Sequence, residues 1–220
     1  MSAYSTERTR VRRQPSRGSY DRASVDAVLD AGLVAHVSFV ENGQPYCMPM
    51  LYARLGDDVY IHGSTASRTM RVLASGVAAC VTSTLLDGLV LARSAFEHSA
   101  NYRAVVLLGT FRRVETSQQR LAVIASFTNK LIPGRWDEVR QPSPKELNAT
   151  IILAMPIVEA SVKIREGGPT DDESTDAAAD VWAGILPIRN SFGAPEPSPG
   201  LRSHIALPWS VRRVLKRSGD

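Results

Sequence analysis

Long apolar runs are missing from this chain of 220 residues, and the longest stretches, residues 104–108 and 151–157, are only strand-length. A bilayer needs about 20 consecutive apolar residues for one helix, so no transmembrane span is expected. The beginning also lacks the apolar stretch of a secretory signal, because Arg8 to Arg13, Pro15 and Gly18 make it basic and polar; a cytoplasmic protein is expected. Cysteine is scarce. Cys47 and Cys80 fall in strand-like segments with no ligand-like spacing to a histidine, which favours reduced, buried thiols over a disulfide or a metal site. No nucleic-acid motif accompanies the net charge of +4, much of which sits in residues 8–22 and 212–217, so solvated tails are expected rather than a nucleic-acid surface.

What is present suits one compact domain with loose ends, since 44% of the residues are hydrophobic and 22% charged. Strands are expected at residues 35–41 and 44–55, joined at Asn42-Gly43, the dipeptide that best tolerates positive φ at both centres of a two-residue hairpin. A turn at Gly56-Asp57-Asp58 leads to a third strand, 59–62, then a helix over 68–74 and a strand over 76–84. Residues 94–99 read as a polar linker or helical turn, 101–115 as a long strand, and 117–131 as an amphipathic helix with Leu121, Ile124, Ala125, Thr128 and Leu131 near one face, stopped by Pro133-Gly134. A last strand should cover 150–164 with a bend at Pro156, followed by an acidic loop at 166–179. The layout is antiparallel and mainly β with flanking helices.

The segment Tyr60-Ile61-His62-Gly63-Ser64-Thr65-Ala66-Ser67-Arg68 joins a hydrophobic strand to a hydroxyl-rich turn closed by an arginine. Ser64, Thr65 and Ser67 offer donors, Gly63 lets the backbone come close, and Arg68 opens a helix whose first amides point outward unpaired. A phosphate would fit there. The plainer reading is that Ser64 or Ser67 simply caps the helix.

This order, with His62-Gly63-Ser64 and Ser67-Arg68 after the third strand, resembles the pyridoxamine 5′-phosphate oxidase-like flavoproteins, which are FMN-binding split barrels. Further pieces resemble the flavin-nucleotide-binding or nitroimidazole-resistance-like branch: Tyr20-Asp21-Arg22, Leu29-Asp30-Ala31, Pro45-Tyr46-Cys47-Met48-Pro49-Met50, Asp87-Gly88-Leu89-Val90-Leu91-Ala92-Arg93 and His98-Ser99-Ala100-Asn101-Tyr102-Arg103. Gly134-Arg135-Trp136, Lys163-Ile164-Arg165 and Trp182-Ala183-Gly184 continue it over most of the chain.

The resemblance implies a single split-barrel domain at residues 23–165, preceded by a basic flexible arm at 1–22 and followed, after the acidic mobile loop, by a segment at 180–220 that closes barrel and site. It implies FMN, with Cys47, Met48, Pro49 and Met50 beside the ring, Tyr52 near its far end, and His62 and Gly63 crossing on the neighbouring strand. Met48 and Met50 are otherwise ordinary core side chains. Arg68, with Ser64 and Ser67, would pair with the phosphate; its alternative is a helix-surface arginine. The oxidases that make the vitamin carry a lysine after the matching arginine, where this chain has Thr69, so pyridoxamine 5′-phosphate is a doubtful substrate. Arg103, after Asn101-Tyr102, could restore the second positive group. His62 is the leading catalytic candidate, as general acid or orienting donor, with His98 second; its alternative is a hydrogen-bonded structural residue. Trp182 resembles the late tryptophan that closes the flavin site between two subunits, which implies a homodimer. Two functions remain open: an FMN-dependent oxidoreductase acting on a small organic acceptor, or a flavin- or haem-binding protein without turnover.

Overall fold

The computed structural model describes residues 4–171 and 175–218. Residues 172–174 of the expected acidic loop, and the extreme ends of the expected arm and closing segment, lie outside the described residues.

In chain order the elements are β1 (Gly18–Ser19), α1 (Arg22–Ala31), β2 (Val34–Glu41), β3 (Gln44–Leu51), β4 (Ala53–Leu55), β5 (Asp58–Ser64), α2 (Arg68–Ala74), β6 (Ala78–Leu91), β7 (Ser99–Thr110), β8 (Arg112–Arg113), α3 (Ser117–Leu131), α4 (Pro144–Asn148), β9 (Thr150–Pro156), β10 (Ala160–Arg165), β11 (Gly184–Pro187) and α5 (Trp209–Ser218). Two antiparallel sheets result. The larger runs β1-β10-β7-β6-β2-β3 with β11 added to β6, and the smaller runs β4-β5-β9-β8. This is a split barrel: mainly β, antiparallel, one domain, and not closed into a single ring.

Three expected strands each prove to be two strands in different sheets. Residues 44–55 break at Tyr52 into β3 and β4, residues 101–115 break at Phe111 into β7 and β8, and residues 150–164 break after Pro156 into β9 and β10. The breaks follow from burial. Tyr52 and Phe111 are 1% and 3% exposed, so at each point the chain turns its side chain inward while its backbone leaves one sheet for the other. Strand propensity continues across such a corner, which is why composition alone reads each pair as one strand.

Between the sheets, Val37, Val81, Leu107 and Val162 of the larger meet Val59, Ile61, Leu153 and Met155 of the smaller, and α1 and α2 add Val25, Leu29, Met70 and Leu73. The Asn42-Gly43 turn is as expected, with φ of 51° and 79°. Asp21 caps α1 by accepting from the Ser24 amide at 2.9 Å, a helix that the strand-centred reading passed over.

α3 covers the outer face of the smaller sheet. Its bounds match expectation and Thr116 caps it, but its buried side chains are Val123 and Phe127, which pack with Ala53, Val114, Ile152 and Ala154. Leu131, expected on the inner face, is 43% exposed. Two large residues four apart set the seat of the helix, each contributing about 1.5–3 kcal/mol by burial.

Residues of the expected N-terminal arm make definite contacts: Arg8 pairs with Glu159, the Val11 amide donates to the Tyr20 hydroxyl at 2.7 Å, and Lys163 donates to the Arg13 carbonyl at 3.1 Å.

Candidate functional site

The turn after β5 is built from its own hydroxyls. Ser64 Oγ accepts from the Ala66 amide at 3.1 Å and Ser67 Oγ from the Met70 amide at 3.4 Å, so Ser67 caps α2. Both oxygens are used as acceptors, and each hydroxyl hydrogen stays available to an anion. The Thr65 and Ser67 amides are spent on the carbonyls of Ala149 and Ser64, whereas those of Arg68 and Thr69 meet no acceptor among the described residues. Two hydroxyls, two open amides and a guanidinium form a donor set that fits a phosphate.

Arg68 does not wait free. It is paired with Glu41 and lies over the Tyr46 ring, 4.5 Å from the centroid, in a bridge from the turn to the β2–β3 hairpin. The Glu41 carboxylate holds the guanidinium even more firmly charged than usual, and an arriving phosphate would have to compete with it. Beside this bridge runs a cavity of about 540 Å3 lined by Pro45, Tyr46, Cys47, Ser38, Cys80 and their neighbours across the larger sheet.

Of β3, Pro45, Tyr46 and Cys47 line that cavity, and Met48, Pro49 and Met50 do not. Cys47 lies opposite Ser38, and Ser38 opposite Cys80, so the three share the outer face of the sheet. Met48 and Met50 lie opposite Val37 and Ala35 and so share the face of β3 that continues toward the core; Met50 packs against that core, whereas Met48, near the sheet edge, is 38% exposed. Only Cys47 and Pro49 of the expected ring-side stretch face outward. Cys47 is exposed, against the expectation of simple burial. With one strand between them the two cysteines stand about 10 Å apart at Cα, beyond disulfide reach.

Tyr52 cannot lie at the end of a ring slot. It is 1% exposed, its hydroxyl donates to the Leu29 carbonyl at 2.7 Å, and burial pushes its pKa up to about 12. Lys130, which sequence reasoning missed, sits 3.6 Å above the Tyr52 ring and donates to the same carbonyl at 2.8 Å; burial brings its pKa down to about 8. Gly63 is small for packing reasons, since a Cβ there would come within 2.8 Å of Met70 Cγ.

His62 points to the other face of β5 from Gly63. It lies opposite Ile152, and Phe127 meets its ring edge-on at 4.4 Å. Burial against α3 lowers its pKa, favouring the neutral ring, although the residue keeps solvent access on one side. His98 is held by its Nδ1 near the Ser94 carbonyl at 2.9 Å. His36 stands exposed on the outer face of β2 opposite Pro49 and Thr82, with no hydrogen bond among the described residues.

The remaining expected residues form a second group. Arg103 pairs with Asp87 through bonds of 2.9 and 2.7 Å, which lower the Asp87 pKa. Asn101 Nδ2 donates to the Gly167 carbonyl at 3.1 Å, and its Oδ1 accepts from Arg165. Tyr102 lies opposite Leu86 and Arg165. Trp182, 67% exposed, folds over Gly184 at the start of β11. Arg103 sits opposite Leu85 of β6, whereas the Tyr46 row crosses β6 at Ala79. Six residues of strand separate the rows, about 20 Å. Within one chain, therefore, Arg103 and Trp182 do not join the turn at Arg68. Hairpin register could have placed Glu41 and Tyr46 on the same end as the Asn42-Gly43 turn, but nothing local in the sequence couples them to Arg68.

Among the described residues no group of three or more histidines, cysteines or carboxylates could hold a metal ion, and no helix is long and apolar enough to cross a membrane.

No curated protein sequence matches the chain. Among solved structures, the flavocytochrome Anf3 from Azotobacter vinelandii is 39% identical over 95% of this chain and 97% of its own, with a TM-score of 0.88. The FAD and heme binding protein from Mycobacterium smegmatis is 40% identical over 90% of this chain and 97% of its own, with a TM-score of 0.85. A Bacteroides thetaiotaomicron structure described as a 5-nitroimidazole antibiotic resistance protein shares the fold at 15% identity, covering 67% of this chain and 86% of its own, with a TM-score of 0.57. The family described as Pyridoxamine 5′-phosphate oxidase matches residues 21–164. With the split barrel, the motif order and these matches in agreement, the chain belongs to the pyridoxamine 5′-phosphate oxidase-like family.

Proposed function

We propose that this protein is a flavin-dependent oxidoreductase that passes reducing equivalents to a small organic acceptor as a homodimer. The observation that carries the reading is identity of 39–40% along nearly the whole chain to two proteins, one a flavocytochrome and the other named for FAD and haem. The donor set at Ser64, Ser67, Arg68 and Thr69 supports it, because it would hold a flavin nucleotide's phosphate. FMN is the flavin the family motifs imply. When bound, the flavin supplies the electron chemistry; the chain's part is to anchor the phosphate, present backbone and apolar surface to the ring, and offer His62 as a neutral imidazole able to donate or accept a hydrogen bond.

A homodimer gives the two separated groups of site residues a way to meet, Arg103 and Trp182 of one subunit facing the Arg68 turn of the other. The outer face of the larger sheet, with Val34, Cys47, Pro49 and Leu51 turned outward, is the surface such a contact would cover.

The two near-full-length relatives favour a second reading, FAD together with haem. His36 fits one requirement of haem, an imidazole left without a partner on an apolar face, and would serve as an axial ligand. One experiment separates the readings: mass and absorption analysis of the small molecules released on denaturing the protein as isolated. FMN supports the first reading, FAD with a haem Soret band supports the second, and a colourless protein that takes up neither flavin overturns both. Oxidation of the reduced flavin by a defined acceptor then separates an enzyme from a carrier.

A further inference from the structure

Thr65, in the same turn, lines a separate cavity of about 260 Å3 with Arg113, Glu115, Arg120, Asn148 and Thr150. The volume is below the roughly 300–1,000 Å3 of pockets that enclose a whole cofactor. Arg120, from the first turns of α3, donates through Nη2 to the Leu147 carbonyl and to the Thr150 carbonyl at 2.8 Å, which ties the end of α4 to the start of β9 and fixes the guanidinium plane. Its Nε is buried and has no hydrogen-bond partner. Unpartnered buried donors are rare because the water they lose must be replaced, and a charged one most of all.

Arg113 brings a second guanidinium with no hydrogen bond or ion pair among the described residues. Its strand neighbour makes the contrast: Arg112 is bound to Asp58 at 2.8 Å, and Arg54, Arg103 and Arg140 also face carboxylates. Against the two guanidinium groups the cavity has one carboxylate, Glu115. The Thr65 hydroxyl and the Asn148 amide add neutral donors.

We propose that this cavity is a phosphate site distinct from the flavin seat, taking a phosphate dianion either free or at the end of a small phosphate monoester. The guanidinium groups of Arg113 and Arg120 are its charged donors, and Thr65 and Asn148 complete it.

The test is calorimetric titration of the full-length protein, saturated with whatever flavin it carries, with inorganic phosphate and separately with methyl phosphate. Saturable binding of one phosphate per chain is expected, weakened about tenfold or more in Arg113→Gln, as befits loss of a charge-assisted donor. Arg113 has no structural partner, so this variant leaves the fold intact; Arg120→Gln should weaken binding further but also loosens α4, and circular dichroism checks it. Tighter binding of methyl phosphate identifies an ester ligand, and tighter binding of inorganic phosphate a free ion; either supports the site. Absence of saturable binding overturns it, as does equal affinity in Arg113→Gln. Phosphate that displaces the flavin overturns it too, since the cavity would then be part of the flavin's own seat. If the protein holds no flavin the same titration is run unchanged, so the phosphate site stands or falls apart from the flavin reading.

Discussion

The bridge between Arg68 and Glu41 makes a two-sided prediction about flavin affinity. If Arg68 grips the phosphate, Glu41 is its competitor, and the two residues must act in opposite directions. The Arg68 side chain is 58% exposed and that of Glu41 22%, so the pair is half in water, and such pairs contribute little to folding. Glu41→Gln should leave thermal stability nearly unchanged while freeing the guanidinium, tightening FMN about two- to fivefold, the scale of a weak surface ion pair. Arg68→Ala removes a charge-assisted donor and should weaken FMN about tenfold or more. The two variants should thus differ by about twentyfold or more, as the ratio of those two estimates. Quenching of FMN fluorescence on titration with apoprotein measures both constants, and added salt should narrow the gap as it screens the phosphate. Affinities equal to the parent in both variants, or a weaker constant for Glu41→Gln, would refute the assignment of the turn.

Other consequences are as direct. Gly32→Ala places a Cβ within 2.4 Å of Ser83 Oγ and 2.6 Å of the Tyr52 hydroxyl, and should cost about 1–3 kcal/mol in chemical denaturation; pairing it with Tyr52→Phe should recover part of that loss, whereas strict additivity would show the contact to be harmless. Because burial lowers the His62 pKa, the folded protein binds fewer protons than the unfolded chain below pH about 6.5, so stability should fall as pH drops through that range, and His62→Gln should flatten the fall in Tm; identical slopes would remove His62 from the account. FMN affinity should survive that substitution, with turnover on an active acceptor reduced about 10²-fold if His62 passes a proton. With Thr69 in place of the lysine, oxidation of pyridoxamine 5′-phosphate should be absent or very slow, and rapid formation of pyridoxal 5′-phosphate would restore the parent activity.

The parts of the fold legible in the sequence are those fixed by local physics. Asn42-Gly43 demands two positive φ values, and residues 117–131 carry a helical apolar pattern stopped by Pro133-Gly134, so both stand where expected. The Ser64–Ser67 turn was likewise readable as a set of donors, because hydroxyls and helix-start amides act over a few bonds. What was not legible depends on where strands change sheets. A continuous strand through Tyr52 would set its ring beside the flavin, whereas the corner between β3 and β4 buries the same side chain as a post in the core. For Met48 and Met50 the sequence leaves two roles open, ring neighbour or core, since alternation tells which residues share a face but not which face meets the core. Glu41, Phe127 and Lys130 entered the site neighbourhood only through contacts across tens to a hundred residues of chain, at Arg68, His62 and Leu29.

The sheet-changing segments also bear on how the molecule comes apart. At Tyr52, at Phe111 and between Pro156 and Ala160 the backbone passes from one sheet into the other, so neither sheet is made of an uninterrupted piece of chain. Pulling β5 and β9 away would drag β3 and β10 with them and open the shared core. The sheets are therefore one cooperative unit, with amide exchange in β6 and in β9 governed by the same global opening, and folding must wait for contacts distant in sequence before either sheet is rewarded.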